Sequence, residues 1–115
     1  MIPRRSILLS VVIVVGGLVA SVGCSSGPSR PSDPVLAQGY DIYRTRCQAC
    51  HGANGEGQSA PGFKGIADRL SFEKHVEKVV DGVDGTRMPA WKGILTDDEI
   101  NAVVRYEREV LGAKN

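Results

Sequence analysis

Cys47-Gln48-Ala49-Cys50-His51 sets two thiols one helical turn apart and an imidazole directly behind the second. The chain of 115 residues has three cysteines and two histidines in all, so these five positions hold most of its capacity to grip a metal or react as a nucleophile. A fold built around such a cluster must bring it something. A thioredoxin-type dithiol needs a strand before it, and structural zinc needs further ligands, commonly a second pair.

The front of the chain says where the cluster works. "MIPRRS" is positively charged, and the seventeen residues from Ile7 to Gly23 contain no charge, which is the shape of an export signal. Seventeen residues also lie at the short edge of what spans a hydrocarbon core of about 30 Å, so residues 7–23 serve equally as an uncleaved anchor. Arg4 and Arg5 hold that end on the cytoplasmic side, and the rest of the chain is carried outward. Cys24, after "ASVG", is similar to the cysteine of a bacterial lipobox, where the signal is cut and the new N-terminal cysteine is lipidated.

Residues 1–24 are therefore read as a signal or anchor segment, and both readings place the domain at the outer face of the cytoplasmic membrane. Residues 25–34, "SSGPSRPSDP", have no aliphatic or aromatic side chain and read as a flexible linker with a typical span of about 17 Å. Beyond residue 24 the chain has 12 basic and 13 acidic residues, net −1. That balance gives no footing for nucleic acid and no strong electrostatic claim on a protein partner.

Residues 35–115 read as one all-α domain of three to four short helices with long connections. Gly39, Tyr43 and Cys47 fall one turn apart on one face of a first helix, and Gly39 in a helix interior calls for close approach by another helix. A second helix runs from Phe72 to Val80, capped by Ser71 and ended by Asp81-Gly82, with Phe72, Val76, Val79 and Val80 inward. His75 then faces mostly outward, within a solvated "EKHVEK" face. The last helix opens with a capping box, Thr96 and Glu99, and Ile100, Val103, Val104 and Val110 or Leu111 form its apolar stripe up to Gly112. Tyr106, at the edge of that stripe, is expected to pack on Gly39 and Tyr43 where the terminal helices cross.

No stretch alternates as a strand does, which removes the βαβ setting of a redox dithiol. His75 is single and on another helix, which leaves zinc one ligand pair short. The remaining reading is C-x-x-C-H attachment of one covalent haem c: Cys47 and Cys50 add to its vinyl groups and His51 reaches the iron. Met88, the only methionine besides Met1, lies in the glycine- and proline-flanked loop "DGTRMPAW" and is the candidate second axial ligand. A domain of about 80 residues with six aromatic side chains has a marginal core, which such a group would complete. "GANGEG", residues 52–57, lacks the spacing of a phosphate loop and reads as a turn beneath the haem.

"GYDIYRTRCQACHG", "MPAW" and "LTDDEINAVVRY" together resemble a bacterial class I monohaem cytochrome c over nearly all of residues 35–112. The resemblance implies thioethers at Cys47 and Cys50, axial ligands His51 and Met88, and a helix contact formed by Gly39, Tyr43 and Tyr106. It also implies that the Pro61 carbonyl accepts from the other nitrogen of His51 and that Trp91 packs at the haem edge.

With both axial positions filled, the expected function is not enzymatic: it is electron carriage between respiratory partners, such as a quinol-oxidising complex and a terminal oxidase, with no small-molecule substrate. The alternatives are a subunit of a larger oxidoreductase or oxidase and, third, a haem enzyme or sensor with an open iron. An exposed apolar rim with few fixed charges is expected around the haem edge.

Overall fold

The computed structural model describes residues 27–113. Cys24 and the apolar run 7–23 lie outside the described residues. Among the described residues no helix is long and apolar enough to cross a membrane.

Helix α1, Pro34–Ile42, starts on an Asp33 cap whose carboxylate accepts from Leu36 N–H, and it runs into a π turn, Tyr43–Cys47. Helix α2, Gln48–His51, follows directly. The hydroxyl of Thr45 donates towards the Asp41 and Ile42 carbonyls, so the change of helical pitch leaves them partnered. The interruption was not expected from sequence, yet Gly39, Tyr43 and Cys47 still share one buried face.

A single turn, α3 (Ile66–Arg69), precedes α4, Phe72–Asp81, whose Ser71 cap accepts from Lys74 N–H. Helix α5, Asp97–Tyr106, has the full capping box between Thr96 and Glu99, and continues as a second π turn, Glu107–Leu111, to Gly112. Among the described residues there is no strand, only one bridge between Lys92 and Leu95.

Helices α1 and α5 cross at Gly39. A Cβ there would run into the Ala102 carbonyl and lie 2.7 Å from the Tyr106 Cβ. Around this point Tyr106 meets Tyr40 and Tyr43 with ring centroids 5.7 and 5.6 Å apart, and Tyr43, Val103 and Tyr106 have no exposed surface. A second cluster, Val79, Ile100 and Val104, joins α4 to α5 and takes in Met88 and Trp91. The last helix thus supports both clusters, and the long connections between helices wrap a cavity bounded by both.

Two expectations are corrected. His75 faces inward at 5% exposure, because its partner Glu107 comes from the far end of the chain. The described part of the linker is also held down: the Arg30 guanidinium forks onto both oxygens of Asp41, Asp33 caps α1, and Gly27 packs on the backbone of Ala53.

Candidate haem site

The cavity has a volume of about 410 Å³, within the range of small-molecule and cofactor sites. Cys47, Cys50, His51, Pro61, Met88 and Trp91 all border it, so every expected site residue of the domain is brought to one place. Cys47 is buried, on the π turn, while Cys50 is exposed, on α2. Burial, and then the nearby Glu107 carboxylate, push the Cys47 thiol well above its ordinary range. A thiol in that setting is a poor thiolate nucleophile, which argues further against a redox dithiol.

His51 ends α2, and its Nδ1 lies 2.7 Å from the Pro61 carbonyl oxygen. A nitrogen facing a carbonyl must carry the hydrogen, which leaves Nε2 as the ring's free lone pair. The loop "GANGEG" makes that contact reachable: Gly57 N–H donates to the His51 carbonyl at 2.8 Å and Ala60 N–H to the Cys50 carbonyl at 3.1 Å. The Tyr43 hydroxyl closes the other side, donating to the Gly52 carbonyl at 2.6 Å.

Met88 enters from the opposite sequence end of the site. Its carbonyl accepts from Val83 N–H at 3.2 Å, and its N–H donates to the Thr86 hydroxyl at 3.1 Å. Gly82 turns the chain at φ 74°, and any Cβ there would lie 2.7 Å from the Met88 carbonyl oxygen. Trp91 is fixed by its N–H to the Val79 carbonyl at 3.0 Å, while its indole Nε1 is buried without a protein partner.

Two thiols, an imidazole with one free nitrogen, a thioether and an orphaned indole donor around an apolar-walled cavity fit a covalently held haem. The unpaired indole N–H fits a group that brings an acceptor of its own.

Sequence reasoning missed the charge around the cavity. Arg46, Arg69, Lys78 and Arg87 border it, all exposed, and among the described residues none is in an ion pair, whereas Arg30, Lys74, Lys92 and Arg105 elsewhere each face a carboxylate. The rim expected to be apolar with few fixed charges therefore carries four cations. Net charge hid this, since a balanced total says nothing of distribution. Glu107 and Phe63 also border the cavity. A legible signal for Glu107 was its place on the apolar stripe, between Val103 and Leu111.

An all-α domain whose crossed terminal helices present C-x-x-C-H and a methionine loop to one cavity defines a c-type cytochrome. The chain belongs to the family described as cytochrome C oxidase, cbb3-type, subunit III, whose profile matches residues 34–106. It is 30% identical over 88 residues to cytochrome c-550 of Bacillus subtilis (strain 168), spanning 75% of this chain and 70% of that one. It is 34% identical over 108 residues to the cbb3-type cytochrome c oxidase subunit FixP of Bradyrhizobium sp. (strain ORS 278), covering 90% of this chain and 36% of FixP. The chain thus spans about a third of the length of the FixP relatives.

Among solved structures, the c-type cytochrome NirC aligns with a TM-score of 0.57 and 28% identity, over 72% of this chain and all of NirC. The cofactor is covalently bound haem c and the activity is electron transfer. The relatives are mostly named as cytochromes and oxidase subunits.

Proposed function

We propose that Cys47 and Cys50 form the two thioethers, that His51 Nε2 and the Met88 sulfur are the axial ligands, and that the protein is a carrier rather than an enzyme. The observation behind this reading is that one cavity is bordered by both sulfur attachment points, by an imidazole held in one tautomer by Pro61, and by a loop-borne methionine. Bound haem would supply an iron that takes one electron from a donor and passes it to an acceptor. The residues do the rest. Pro61 keeps the His51 ring plane fixed, the Gly82 turn and the Thr86 hydroxyl hold Met88, and the two buried clusters exclude water, so geometry changes little between oxidation states.

The partners are redox proteins that present an acidic face to the Arg46, Arg69, Lys78 and Arg87 rim, and the domain is tethered at the outer membrane face through Cys24 or residues 7–23. Similarity to FixP favours a second reading, a subunit of an oxidase complex. Among the described residues Val35 and Ile94 are the large apolar side chains left exposed, too little for a permanent apolar interface, which supports the mobile carrier.

The test is carbon monoxide titration of the reduced protein, with Met88→Ala alongside. The parent should resist carbon monoxide at neutral pH, and the variant should keep its covalent haem, bind the gas and show a lower potential. Ready binding by the parent would overturn the ligation and reopen the sensor or enzyme alternative.

A further inference from the structure

His75 and Glu107 are 5% and 2% exposed, and His75 Nε2 lies 3.0 Å from a Glu107 carboxylate oxygen. A carboxylate buried so deeply demands a partner: the Cys47 thiol is one, and the imidazole of α4 stands 3.0 Å from Glu107 Oε2, an oxygen that makes no aligned hydrogen bond in this arrangement. Both side chains border the cavity. Phe63 stands between the two imidazoles, with its ring centroid 4.7 Å from that of His51 and 5.7 Å from that of His75. His75 Nδ1 is buried and has no hydrogen-bond partner. The electron-carrying role uses neither residue.

We propose that His75 and Glu107 hold a proton between them and tie the reduction potential of the haem to pH. Two basic groups share room for one proton, so the pair has charge −1 without it and 0 with it. Burial keeps that difference poorly screened. When a donor protein's electron enters the neighbouring centre, negative charge rises beside the pair and a proton from solvent is taken up. Reoxidation returns both, and nothing else is consumed.

Other charged and titratable groups face this pair. Tyr43, across from Glu107, is driven well above its ordinary range by burial, and its hydroxyl donates to Gly52. Cys47, whose thiol lies against Glu107, is taken up in a thioether in the haem-loaded protein. Lys78 lies one turn along α4, Arg46, Arg69 and Arg87 border the same cavity, and Arg108 donates to the Leu70 carbonyl. These cations favour negative charge on the pair. The pair tunes the centre from outside its ligands. This inference rests on the haem occupying the cavity bordered by His51 and Met88.

Spectroelectrochemical titration of the holoprotein from pH 5 to 9 tests it, with Glu107→Gln and His75→Phe. The parent potential should fall as pH rises, with a limiting slope of about 59 mV for each tenfold change in proton activity, and both variants should flatten it. Above the transition Glu107→Gln should also shift the redox equilibrium at least tenfold towards the reduced form, since it removes a buried negative charge. NMR of the His75 ring should report a gain of proton on reduction at the mid-transition pH. A flat parent, or a slope that survives in both variants, would sink the proposal. If Glu107→Gln does not accumulate, His75→Phe and the parent slope decide. A parent without a covalent haem spectrum would sink the cytochrome reading instead, whereas a normal spectrum with a flat potential sinks the pair alone.

Discussion

At the crossing of α1 and α5, the backbone of Gly39 rests against the Ala102 carbonyl, so closely that no side chain fits between them. Alanine would gain about 1 kcal/mol in helix propensity. Forcing a Cβ into packed backbone costs about 1–3 kcal/mol and prevails because neither helix backbone can yield cheaply. Gly39→Ala should lower stability by up to about 2 kcal/mol net in urea unfolding, with covalent haem retained. An unchanged midpoint would mean that the helices slide apart freely.

The two buried tyrosines of this contact should respond oppositely to loss of their hydroxyls. Tyr43 donates to the Gly52 carbonyl, which keeps only its Gly55 N–H bond once the hydroxyl is gone, so Tyr43→Phe should cost about 0.5–1.5 kcal/mol. The Tyr106 hydroxyl is buried without a partner, so Tyr106→Phe should be neutral or slightly stabilising.

Alkaline pH gives a second reading of Tyr106, whose ionisation is pushed up to about 12 by burial. A raised acid stabilises the fold fully below its unfolded value, 10.0, and that contribution is lost as pH climbs towards 12. Thermal unfolding of the parent should thus weaken across that window, and less steeply in Tyr106→Phe. Equal slopes would show that Tyr43 alone governs the alkaline limit.

The basic rim makes encounter with an acidic partner depend on salt. At physiological ionic strength screening acts over about 8 Å, so association should slow as salt rises. Arg46→Glu with Arg87→Glu brings the four-cation rim to zero net charge, and should reduce the low-salt association rate by tenfold or more and remove most of the salt effect. Stopped-flow electron transfer measures both, and a rate indifferent to salt would remove the rim from docking.

Much of this architecture could be read directly because its determinants are local. The capping box of Thr96 and Glu99, the Ser71 cap and the Gly39–Tyr43–Cys47 spacing each act within a few residues. Phe72–Asp81 and the Val103–Val104 stripe follow from helical periodicity alone. What stayed hidden depends on distant chain segments. His75 reads as solvent-facing until Glu107, 32 positions later, is set against it. The π turns directly continue α1 and α5 without a break in the sequence pattern, and α3 is too short to leave a period. The basic rim gathers four side chains from four separate segments, none of which is a charge run.

The Arg30–Asp41 fork and the seat of Gly27 on Ala53 alter the mechanics of any leash attached further upstream. Pull on that leash is delivered two residues past His51, not at the start of α1. Under the tethering proposed above, the pivot of the domain would lie beside the C-x-x-C-H loop. A rotation that leaves the far end of α5 sweeping a wide arc moves the haem-bearing loop rather little. A carrier hung in that way would search for its partner mainly by turning in place.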